Sequence, residues 1–132
     1  NDVKLLGLII DQLSAAGTKG IEALLYYDAL YKRISPLPQD FHSRFDIFIH
    51  TSAKRYTITP DEILMMKDIF EILEKRKTSP MEFKRRDVLV IASTDYRLRT
   101  LTLDKVKKYL IQAKHFLHKV HEVLETSGKR FD

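Results

Sequence analysis

Between residues 103 and 126 apolar side chains return at alternating steps of four and three: Val106, Leu110, Ala113, Leu117, Val120 and Leu124. Tyr109, Phe116 and Val123 accompany them at intervals of seven. A stripe with that period fits an amphipathic α-helix whose apolar side must be covered. The stripe is wide, which suits burial in a bundle better than the narrow seam of a two-stranded coiled coil. A homo-oligomer built through the last helix is the other use of such a pattern. A helix of this length needs several others beside it.

The rest of the chain is consistent with that demand. Its 132 residues suffice for one domain with a real core. With 44% hydrophobic and 31% charged residues it is too apolar for disorder. Gly and Pro number only four each, so breakers are scarce and long helices are favoured over many short strands. The expectation is an all-α single domain over 1–132. It would be a compact bundle of five or six antiparallel helices with a long C-terminal helix. The first residue is Asn, which suggests excision from a longer chain, and 128–132 reads as a frayed tail.

Punctuation divides the chain into six segments. The first helix is expected over 3–16, closed by Gly17 in a left-handed cap, and the second over 19–34, opened by Thr18. Ser35-Pro36-Leu37-Pro38 breaks the chain before a third helix over 39–54. Thr59-Pro60-Asp61-Glu62 and Ser79-Pro80-Met81-Glu82 both read as capping boxes with Pro at the first helical position. They set helix starts at 60 and 80, with helices over 60–76 and 80–94. Val88-Leu89-Val90-Ile91 reads as strand by composition. The capping box before it and the want of an obvious partner strand favour a buried helix. Residues 93–100 read as a loop, after which Thr102 caps the last helix, ended by Ser127-Gly128.

Much chemistry is excluded. No Cys is present, so disulfides, thiolate metal sites and a cysteine nucleophile are ruled out. No apolar run approaches the ~18–20 residues of a membrane span. Asp11 interrupts the N-terminal apolar segment, so no signal peptide is read there, and an intracellular location, cytoplasmic or nuclear, is expected. Gly17-Thr18-Lys19-Gly20 lacks the spacing of a phosphate-binding loop, and no Gly-x-Ser-x-Gly elbow occurs. His115, His118 and His121 recur every third residue, too far around a helix for all three to meet one metal. Ion pairing with Glu122 and Glu125 is the expected role of this group. Catalysis, cofactors and metals are therefore not expected.

What remains is charge. Residues 1–74 hold 8 Lys and Arg against 11 carboxylates, while 75–132 hold 15 against 7. Lys75-Arg76-Lys77 at the end of a helix is favoured by the helix dipole alone. Lys84-Arg85-Arg86 in the first turns of a helix would oppose it, and so points to an external partner. The candidate surface comprises Lys84, Arg85, Arg86, Arg97, Arg99, Lys105, Lys108 and Lys119, with Lys107 and Lys114 beside it. Tyr96, between Asp95 and Arg97, is placed to stack on a base. The expected function is a non-catalytic binding module for nucleic acid or an acidic protein. The alternative is a structural or assembly domain of a larger complex, using apolar helix faces.

Arg44 and His50 stand in an Arg-x5-His spacing on the third helix. This resembles the Arg-x4–6-His motif of HEPN-type ribonucleases, helical domains of about this size. The resemblance covers seven residues and implies that Arg44 and His50 would act on an RNA backbone, across a dimer. Phe45 follows Arg44 where that family prefers a polar side chain.

Overall fold

The chain is mainly helical, with the two longest helices first and last in sequence. The computed structural model describes residues 2–78, 81–85, 88–92 and 98–129, of which 2–3, 81–85, 92, 98 and 127–129 by backbone alone. Among them run α1 (Asp2–Leu30), α2 (Phe41–His50), the one-turn α3 (Ser52–Arg55) and α4 (Pro60–Thr78). There follow β1 (Met81–Arg85), β2 (Val88–Ala92), β3 (Leu98–Thr102) and α5 (Leu103–Lys129).

Three helix starts follow from capping chemistry. At α4 the Glu62 amide donates to Thr59 Oγ1, and the Thr59 amide donates to Glu62 Oε1, each at 3.1 Å. This is the expected reciprocal box. At α5 the Lys105 amide donates to Thr102 Oγ1 at 3.1 Å, as expected, and the helix then runs past Ser127-Gly128 to Lys129. At α2 it is Asp40 that accepts from the Ser43 amide at 2.9 Å, so the helix begins later than residue 39. It also ends earlier, at His50, and α3 is a separate turn.

The break expected at Gly17-Thr18 does not occur. Residues 2–30 form one helix, and no glycine among the described residues has positive φ. Gly20 instead permits close packing: a Cβ there would lie 2.6 Å from Phe116 Cε2. The glycine cost is offset by the approach of two helices.

The all-α expectation is overturned among the described residues between 81 and 102. Within the helix expected over 80–94, residues 81–85 and 88–92 instead form β1 and β2, and Leu98–Thr100 belongs to β3 rather than to a loop. The sheet is antiparallel in the order β1-β2-β3, with Leu89 opposite both Lys84 and Leu101. The apolar run Val88–Ile91 thus has two partners, and Leu89, Ile91 and Leu101 are buried in the common core. Ser79-Pro80, the second expected capping box, lies outside the described residues.

The bundle is also not wholly antiparallel. Gly20 faces Phe116 and Leu117, and Tyr27 lines a cavity with Val123, so α1 and α5 run in the same direction. α4 runs against both: Arg76 reaches Gly7, and Glu62 reaches Lys119. Ile10, Ile21, Leu24, Leu25, Met66, Ile69, Val106 and Phe116 fill the space between them. α2 closes one side through aromatic contacts. Phe41 and Phe45 meet Phe70 edge-on at 5.1 and 5.2 Å, and Phe48 meets Phe116 at 6.1 Å.

Candidate functional site

The apolar stripe of α5 faces inward, with Val106, Tyr109, Ala113, Phe116 and Val120 buried. Its opposite face therefore looks to solvent, and there Lys107, Lys108, Lys114, His115 and His118 are exposed with Ile111. Lys107 and Lys114 stand two turns apart, about 10 Å along the axis. Among the described residues no carboxylate pairs with Lys107, Lys108 or Lys114. His118 and His121 do pair, with Glu122 and Glu125, at 3.1 Å each, as expected.

Other cations of the expected surface are engaged inside the molecule. Lys119 donates to Glu62 Oε1 at 2.5 Å and to the Thr57 carbonyl at 2.9 Å, tying α5 to the start of α4. Burial works against the Glu62 carboxylate, but Lys119 and Thr59 outweigh it and hold its pKa below the usual value. Lys105 pairs with Asp68 at 3.2 Å, and Arg99 pairs with Asp68 and with Glu71, the latter at 2.8 Å. Tyr109 also donates to Asp68. Burial again opposes the Asp68 carboxylate, yet these bonds lower its pKa. Burial and the bond to Asp68 push the Tyr109 hydroxyl up.

The expected set of eight thus separates. Arg99, Lys105 and Lys119 hold α4 to β3 and α5. Lys84 and Arg85 sit on β1, at register positions opposite Leu89 and Val88. The argument that they oppose a helix dipole falls away, because no helix contains them. Arg86, Tyr96 and Arg97 lie outside the described residues. Lys108 alone of the eight belongs to the exposed α5 face, where Lys107 and Lys114 join it.

Arg44 and His50 are not brought together. Arg44 is partly buried and donates to the Pro38 carbonyl at 2.6 Å, to Tyr26 Oη at 2.8 Å and to Glu22 at 3.3 Å. It fastens the start of α2 to α1. His50 is exposed, with Nδ1 2.8 Å from the Asp46 carbonyl oxygen.

A second constellation was not anticipated from sequence. Asp28, near the end of α1, is completely buried. Ser52 Oγ donates to it at 2.5 Å, and Tyr56 Oη donates to it as well. Arg55 Nη1 lies 3.0 Å away, and Arg33 Nη1 lies 3.4 Å away. Burial, then the bond to Asp28, push the Tyr56 hydroxyl up to about 12. The available signal was Asp28 itself, the one carboxylate within the otherwise apolar run Ala23–Leu30. A charge in such a run is retained only with partners.

No protein-family model matches this chain, and no match was found among the curated proteins or the solved structures.

Proposed function

We propose that the protein is a non-catalytic binding module whose exposed α5 face holds the backbone of a nucleic acid. The observation that carries this reading is that Lys107, Lys108 and Lys114 are solvent-exposed on one helix face without a carboxylate partner among the described residues. Lys105, Lys119 and Arg99, by contrast, are engaged by carboxylates of α4. Unneutralised charge repeated along a rigid helix attracts a polyanion with little sequence readout. The partly buried Arg44 favours a structural role for that residue over RNA cleavage.

The test is fluorescence anisotropy with labelled single-stranded and duplex oligonucleotides at two salt concentrations. Binding at low salt that Lys107→Glu/Lys108→Glu/Lys114→Glu abolishes supports the reading. No binding at ~50 mM salt overturns it, because phosphate attraction is strongest there. Capture of an acidic protein in place of either oligonucleotide would assign the face to protein recognition. Assembly through apolar faces would instead be insensitive to salt.

A further inference from the structure

A cavity of about 490 Å³ opens over the Asp28 cluster. Its walls include Tyr27, Arg33, Arg55 and Tyr56 on one side and Glu122 and Thr126 of α5 on the other. We propose that this cavity binds a small phosphorylated molecule bearing hydroxyl groups, with Arg33 and Arg55 holding the phosphate.

The local charge balance leads to this. Two guanidinium groups meet a single buried carboxylate, Asp28, whose acceptor sites are filled by Ser52, Tyr56 and the two arginines. One positive charge is left over. Glu122 on the opposite wall keeps its charge, but it is solvent-exposed, its Oε1 meets His118 at 3.1 Å, and it makes no ion pair with Arg33 or Arg55 among the described residues. Asp28 meets Arg55 and Arg33 at Nη1, and Arg33 Nη1 also donates to Tyr56 Oη at 3.1 Å. A guanidinium carries five N–H donors in a planar fork, so donors remain on Arg55 for a second, bidentate acceptor. The side chains of Arg33 and Arg55 are 31% and 38% exposed, open enough to reach a ligand. Asp28 anchors their inner ends, so little ordering is required on binding.

A phosphate suits this better than a carboxylate. It brings up to two negative charges and three acceptor oxygens to two convergent forks. The opposite wall has a different chemistry. Glu122 and Thr126 are one helical turn apart and offer a carboxylate and a hydroxyl, which suit hydroxyl donors on the ligand. Volume agrees, since cavities of ~300–1,000 Å³ take small molecules.

The backbone adds an independent sign. Among the described residues two non-glycine residues have positive φ, Lys32 at 56° and Thr57 at 58°. Lys32 immediately precedes Arg33, and Thr57 immediately follows Tyr56. A β-branched residue in this region is strained, and such strain gathers where a side chain must be aimed.

Amide chemical shifts recorded by NMR during titration with inorganic phosphate, ribose 5-phosphate, ribose and acetate test the proposal. Saturable shifts at Tyr27, Arg33, Arg55 and Thr126 are expected with both phosphate compounds, with ribose 5-phosphate the tighter. Arg55→Gln should weaken both by about tenfold or more, the worth of a charged hydrogen bond. Glu122→Gln, on an exposed wall where folding is not at risk, should tighten inorganic phosphate by removing a like charge. The Lys107→Glu/Lys108→Glu/Lys114→Glu variant should bind both unchanged, which separates this site from the α5 face. Absence of saturable shifts up to about 10 mM of either phosphate compound overturns the proposal. So does equal binding of acetate, or indifference of phosphate affinity to both Arg55→Gln and Glu122→Gln.

Discussion

At the scale of single residues, two glycines three positions apart do different work. Gly17 sits in α1 with ordinary room around it, the nearest atom to an added Cβ being Phe70 Cζ at 3.7 Å. Gly17→Ala should therefore stabilise the fold by about 0.5–1 kcal/mol through helix propensity. Gly20 has no such room, because Phe116 Cε2 would lie at 2.6 Å. Gly20→Ala should destabilise by about 1–3 kcal/mol as Phe116 is displaced. Chemical denaturation of the two variants checks both signs. The sequence could not separate these glycines, since what distinguishes them is a neighbour from the last helix. Asp28 is a further case. Asp28→Asn leaves Arg33 and Arg55 without their counter-charge, and a loss of about 3 kcal/mol is expected by the same measurement. The misreading of Gly17 as a cap and the missed importance of Asp28 share a cause. Both depend on contacts far away in the chain.

At the scale of elements, what was legible was what is written locally. Thr59-Pro60-Asp61-Glu62 encodes its own helix start, and Thr102 encodes another. The stripe of α5 dictated its buried face. The sheet was obscured because Val88–Ile91 carries a strand signal while Met81–Arg85 and Leu98–Thr102 alternate weakly. Strand pairing is a non-local property, and a Pro-led capping pattern outweighed it. The same distinction separates the basic residues: sequence reveals a charge but not the carboxylate that meets it. Glu62 and Asp68 join α4 to α5 and β3 with pKa values held below the ordinary 4.5 and 3.8. A depressed carboxylate contributes stability that is complete above its ordinary value and is lost as pH falls through the folded value. The melting temperature should therefore hold down to about pH 5 and decline below about pH 4, with Glu62→Gln flattening the decline. Tyr56 has the opposite sign. Its pKa is raised to about 12, so its contribution is present below pH 10 and is lost as pH rises toward 12. Thermal melts across both ranges, with Tyr56→Phe as comparison, test this.

At the scale of the molecule, charge is arranged along the helix axes. The end that holds the sheet and the starts of α1 and α5 also holds Lys75, Lys77, Lys107 and Lys108. The other end holds the Asp28 cluster. If three lysines each neutralise one phosphate of a duplex, raising salt from 50 to 200 mM should weaken binding by about 40-fold. A single reversal, Lys108→Glu, should lower the slope of log affinity against log salt by about 1 and affect all oligonucleotide sequences alike. Among the described residues no helix is long and apolar enough to cross a membrane.

The parallel pairing of α1 with α5 has a consequence in time. It is the most extensive contact between helices, and it joins the two helices farthest apart in sequence. The part of α1 around Gly20 cannot be fully enclosed until the last helix has been made and has arrived. On a ribosome the earlier elements would wait with apolar surface uncovered, a state prone to association with other chains. In refolding, the closure of a long loop precedes the reward of the core, so the rate should be slower than that of a bundle of sequential hairpins. Substitutions at the Gly20–Phe116 crossing would then act on the folding rate as well as on the folded state, and stopped-flow chevrons of Gly20→Ala would show it.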